Sequence, residues 1–95
     1  MAEPRSEPRL RRGPGVTSAE VHGEAVLLDL KRGKYYALNP TGAAVWELLA
    51  EPRSREELQT AMLARYDVAP EVLRADLAAL LEDLRDNGLV EDDRA

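Results

Sequence analysis

Cysteine and phenylalanine are both absent from the 95 residues. Without Cys there is no disulfide framework, no thiolate metal site and no Cys nucleophile, which fits a reducing, cytoplasmic setting. Aromatics are scarce, one Trp and three Tyr, so the core must be built mainly from Leu, Val and Ala. Apolar runs extend only a few residues, so no segment is expected to span a membrane. The charged, Pro-containing N-terminus lacks the apolar stretch of a secretory signal. The lone His, His22, sits at a turn with no second ligand beside it. No Gly-rich phosphate loop is present. The Asp and Glu residues fall on helix faces and at the tail, not as a pair in a cleft. These absences lead us to expect no catalytic residues, no metal and no cofactor.

An excess of positive charge is missing too. The net charge is −5. Residues 1–13 carry four Arg and two Glu, net +2, and the rest carry 9 cationic and 16 acidic residues, net −7. An acidic body repels phosphate backbones, so nucleic acid is not an expected partner. A basic partner suits it better.

What remains is one small domain with a modest core. Residues 1–15 repeat Glu-Pro-Arg and end in Gly13-Pro14-Gly15. They read as a disordered, basic, Pro-rich arm. From Val16 the pattern changes to three short strands, Val16–Val21, Ala25–Leu30 and Lys34–Leu38. In the second, Val26, Leu28 and Leu30 share one face, and Leu27 and Asp29 the other. Lys31-Arg32-Gly33 supplies a tight turn. In the third, Tyr36 and Leu38 share one face, with Lys34, Tyr35 and Ala37 at or near the other.

Asn39-Pro40 then opens a helix, Asn as cap and Pro at the first helical position. Its stripe is Thr41, Val45, Leu48 and Leu49, with Trp46 beside it and the indole N–H expected to find a partner. Pro52 ends it. Ser54-Arg55-Glu56-Glu57 is a capping box for a second helix to about Tyr66, with Leu58, Ala61, Met62 and Tyr66 on one face. A third runs from Pro70 to about Asn87, with a Leu73, Leu77, Leu80, Leu81, Leu84 stripe and an Asn87-Gly88 stop. Residues 91–95 are expected to fray. Strands grouped before helices predict an α+β fold, a three-stranded antiparallel sheet followed by three helices. One sheet edge stays open for docking a peptide.

The stretch LLDLKRGKYYALNPTGAAVWELL, with DLAALLEDLRDNGLV after it, resembles the PqqD-like family. These are peptide-recognition elements of ribosomally made, post-translationally modified peptide pathways. The sequence is most similar to the small stand-alone leader-binding proteins of lasso-peptide clusters. The resemblance covers about residues 16–90, with the arm outside it. It implies a winged helix-turn-helix arrangement in which the precursor's leader peptide adds as a strand to Lys34–Leu38. The leader would lie in a cleft facing the third helix. It also implies hand-over to a leader peptidase and an ATP-dependent macrocyclase.

On that basis the expected peptide-binding residues are Lys34, Tyr35, Tyr36, Ala37 and Leu38 on the strand. On the helix they are Leu73, Asp76, Leu77, Leu80 and Asp83, with small Ala79 leaving room. Strand addition draws affinity from backbone groups and specificity from alternating pockets. The third helix carries five acidic residues against Arg74 and Arg85, net −3, so a cationic leader is expected. A bland reading stands beside each assignment: strand propensity for the tyrosines, a solvated face for the aspartates and core for the leucines. A generic interaction subunit and a winged-helix DNA-binding protein are the alternative functions. The open edge could also pair with a second copy.

Overall fold

The structure, a computed structural model, describes residues 8–22 and 24–93. In chain order come β1 (Arg9–Arg12), β2 (Val16–Val21), β3 (Glu24–Asp29) and β4 (Lys34–Leu38). Then follow α1 (Pro40–Leu48), β5 (Arg53–Ser54), α2 (Arg55–Arg65), α3 (Pro70–Asp86) and β6 (Val90–Asp93). The fold is α+β, and the expected meander is present in the order β2-β3-β4. It is joined by a second antiparallel sheet in the order β5-β1-β6.

Local chemistry sets the meander. Asp29 is buried, yet its carboxylate is occupied: Oδ1 accepts from the backbone N–H of Lys31 at 3.0 Å and of Arg32 at 3.2 Å. Gly33 closes the turn by donating to the Asp29 carbonyl at 2.8 Å, with φ +68, a conformation costly for a residue with a Cβ. On the β2–β3 side His22 takes positive φ, and Gly23, also assigned to that turn, lies outside the described residues. Register pairs Leu27 with Tyr36 and Ser18, and Leu28 with Tyr35 and Thr17.

The inward face of β3 is that of Leu27, at 0% exposure, and Asp29. The more apolar set, Val26, Leu28 and Leu30, faces away from the core. Register also corrects the expected side of Lys34, which pairs with Asp29 and so shares the side of Tyr36 and Leu38.

Three helices complete the core. Asn39 Oδ1 accepts from Gly42 N at 2.8 Å, with Pro40 at the first position of α1. Ser54 and Glu57 form the capping box of α2 in both directions, at 3.1 and 2.8 Å. The backbone hydrogen bond from Ser54 is the main reason the Glu57 carboxyl titrates below its usual range. The buried set includes Val45, Trp46, Leu49, Leu58, Met62, Leu73, Leu77, Leu81 and Leu84. Thr41 and Tyr66, expected on the inward stripes, are exposed, and Leu80 is half-buried. Gly88 ends α3 with φ +73, and Leu89 N donates to the Leu84 carbonyl.

The arm and the tail differ from expectation. Arg9–Arg12 is a strand, and its partner β6 is formed by Val90–Asp93, four residues each. Leu10 is buried against the core. Arg11 pairs with Glu91 at 2.6 Å and Asp93 at 3.5 Å, and Arg9 with Glu57 at 3.6 Å. Arg12 donates to the Trp46 carbonyl at the C-terminal end of α1, while its guanidinium carbon lies 4.6 Å from the Trp46 ring centre. Trp46 Nε1 is buried and finds no hydrogen-bond partner among the described residues, contrary to expectation. The ring is held instead by packing and by the cation above it. Residues 1–7 of the arm and 94–95 of the tail lie outside the described residues.

Candidate functional site

β4 pairs with β3 along one side only, and no described strand pairs with its other side. The C-terminal strand β6 joins β1, not β4, so the described tail leaves this edge open. An unpaired edge presents a row of N–H and C=O groups to solvent or to a guest.

Alternation along β4 divides the expected residues. Leu38 is buried and Tyr36 half-buried on the core side, whereas Tyr35, at 76% exposure, and Ala37 project from the opposite face. Tyr35 and Ala37 are therefore on the edge strand but not in the cleft facing α3. Lys34 is exposed at the strand's start.

On the core side, Tyr36 reaches α3. Its hydroxyl donates to Asp83 Oδ2. This bond stabilises the neutral phenol beside a carboxylate, and with partial burial it pushes the Tyr36 pKa up to about 12. The ring thus bridges strand and helix at one end of the cleft. Asp83 is occupied by this bond.

Further along, the cleft opens into a cavity of about 290 Å³. Its apolar lining is Val45, Leu73, Leu77 and Leu80, and Asn39, Thr41, Asp76 and Ala79 contribute the rest of the wall with Gly42. Four of the five expected helix residues therefore meet in one depression, and the fifth, Asp83, clasps Tyr36. Asp76 is exposed and makes no ion pair among the described residues. It places a free carboxylate beside apolar walls.

Sequence reasoning missed the contribution of α1. Asn39, Thr41, Gly42 and Val45 line the cavity from its first turns. The signal was the cap itself: Asn39 pins the helix start directly after the edge strand. A Cβ at Gly42 would lie 3.1 Å from Leu38 Cδ2 and 3.3 Å from Asn39 Oδ1, so the missing side chain lets α1 approach the end of β4.

A larger depression, about 360 Å³, lies between the β3–β4 turn, the end of α3 and β6. Its charges largely satisfy one another: Arg32 with Asp29 at 3.7 Å, Arg32 with the Asn87 carbonyl at 3.1 Å, and Arg85 with Asp92. It lacks the apolar walls and open backbone edge of the cleft. Among the described residues no group of three or more His, Cys, Asp or Glu is placed to hold a metal. No helix among them is long and apolar enough to cross a membrane.

Comparison with known proteins places these features in context. Residues 24–90 match the family of coenzyme PQQ synthesis protein D (PqqD). A solved structure of TbiB1 in complex with the TbiA(beta) leader peptide is similar at 33% identity and a TM-score of 0.79. The match covers 90% of this chain and 99% of that one. A second, lasso peptide synthetase B1 complexed with the leader peptide, is similar at 28% identity and a TM-score of 0.73. There the match covers 86% and 96% of the respective chains. No curated protein matches the chain.

Proposed function

The chain belongs to the PqqD family, and on that premise we propose that it is a non-catalytic recognition protein for the leader peptide of a lasso-peptide precursor. The observation that carries the reading is the unpaired edge of β4 together with an apolar cavity between α1 and α3, whose lining begins at Asn39, the residue directly after that strand. Both structural relatives are complexes with leader peptides.

The leader adds as a strand to β4. Backbone groups of β4 that point away from β3 supply sequence-independent hydrogen bonds. Side chains on the inward side of the docked strand enter the cavity, where Leu73, Leu77 and Leu80 take an apolar anchor. Asp76 attracts a Lys or Arg near that anchor, and Lys34 limits unwanted pairing of the empty edge. The bound precursor is then presented to a leader peptidase and an ATP-dependent macrocyclase. This work needs no cofactor and is compatible with a cytoplasmic setting.

Titration of the full chain with synthetic leader, followed by calorimetry, tests the reading. Micromolar or tighter binding is expected. A leader carrying Pro within the docked stretch loses a backbone donor and should bind at least about tenfold more weakly. Undiminished binding of several such Pro variants excludes strand addition. No binding of the unaltered leader excludes the function.

A further inference from the structure

The turn that leads into β4 is fastened to the end of α3. Asp29 stands buried on the inward face of β3, where an apolar side chain is the ordinary occupant. Its Oδ1 is taken by the backbone N–H groups of Lys31 and Arg32, and its Oδ2 faces Arg32 Nε at 3.7 Å. Arg32 Nη1 in turn donates to the Asn87 carbonyl at 3.1 Å. Asn87 is the C-cap of α3, where unpaired carbonyls and the helix dipole favour a cation. Gly88 makes room for this contact as well as taking positive φ. A Cβ there would meet Arg32 Nη1 at 2.8 Å and Cζ at 3.0 Å, so the guanidinium occupies the place a side chain would take.

A second tie lies beside the first. Tyr36, a little further along the chain from Arg32, donates to Asp83, one helical turn before Asn87. Both ties join the leading end of the edge strand to the last turns of α3. The apolar cavity lies beyond them, and Arg32 is not among the residues that line it.

We propose that Arg32 is a positioning residue for the leader: it holds the start of β4 against the end of α3, so that the open edge and the facing helix keep the spacing a docked strand requires. The inference rests on the leader-binding function proposed above. A docked strand must pair with β4 and pack on α3 at once. Where the two walls drift, only a fraction of the molecules is competent, and apparent affinity falls by that fraction. A bound leader holds both walls itself, so the loss falls on association and not on dissociation.

Stopped-flow kinetics of the full chain with synthetic leader test this, with circular dichroism confirming that each variant is folded. Arg32→Ala should bind about three- to tenfold more weakly, through slower association at an unchanged dissociation rate. Removing a cation from an acidic protein would by itself speed capture of a basic leader, so slower capture is not a charge effect. Arg32→Lys keeps a cation at the helix end without the planar fork that reaches two acceptors, and should recover part of the rate. A second readout needs no leader. The late titration of Tyr36 depends on its bond to Asp83, and it should move earlier in Arg32→Ala, which a uniform loss of stability would not produce. If the unaltered chain binds leader, then unchanged association in Arg32→Ala, a loss confined to dissociation, or an unmoved Tyr36 titration each overturns the inference and leaves the function standing. Failure of the unaltered chain to bind overturns the function and the inference together.

Discussion

In the sheet β5-β1-β6 side chains are tied down, and in the meander β2-β3-β4 they are largely left free. Arg9, Arg11 and Arg12 each reach a named acceptor, and Glu91 and Asp93 answer from β6. Strands from opposite ends of the chain meet there, so the contacts offset a large loop-closure cost. The meander is built from neighbouring segments joined by tight turns and needs less help. Apart from the Tyr36–Asp83 clasp on the core side of β4, no side-chain hydrogen bond or ion pair among the described residues ties down its edge strand or outer face. The clamped sheet serves stability, and the unclamped one is where the proposed function places the leader.

The largest effect should come from the core side of the meander. Leu27→Ala removes a side chain with 0% exposure and should cost about 2–5 kcal/mol of stability in urea denaturation. A cost comparable to that of Leu28→Ala would reverse the assignment of the two faces. Next, Arg12→Ala removes a cap on α1 and a cation over Trp46, and should cost about 1–3 kcal/mol. No change there would mean that the terminal sheet does not brace the helices. Leu80→Ala, at a half-buried cavity wall, should cost about 1–2 kcal/mol and weaken leader binding further than that loss explains.

The Tyr36–Asp83 clasp gives a pH-dependent test. Because the folded pKa of Tyr36 is raised to about 12 from the ordinary value of 10.0, its stabilising contribution is complete below pH 10. It is lost as the pH rises towards 12. Tyrosinate absorbance should show a late-titrating group that vanishes in Tyr36→Phe and moves earlier in Asp83→Asn. Smallest of all is Asp76→Asn. It should leave the melting temperature within about 1 °C while lowering leader affinity and its salt dependence. An Asp83→Asn variant with the same signature would show that the two carboxylates play one role, against the clasp.

Elements with local signals could be read directly from the residues. Asn39-Pro40, Ser54 with Glu57, and Asn87-Gly88 each place a helix boundary through side chains only a few positions apart. Strands β1 and β6 carry no comparable signal. Arg-Leu-Arg-Arg resembles a solvated tail until acidic residues some 80 positions away are brought opposite it. Period-two alternation gave the two faces of β3 but not which one turns inward. Hydrophobicity favours Val26, Leu28 and Leu30, yet the inward face holds Asp29, whose carboxylate is satisfied by the turn it stabilises. The leucines and Asp76 of the cleft were foreseen from α3. The wall from α1 was not, because it depends on how closely Gly42 lets that helix approach. Asp83 was expected at the rim and is held by Tyr36 instead.

Arg9 lies opposite Asp93 in the β1–β6 pair. A polypeptide spliced onto either end of this unit therefore departs from a single pole. A segment leaving the described unit at Arg9 and one leaving it at Asp93 start from almost the same point.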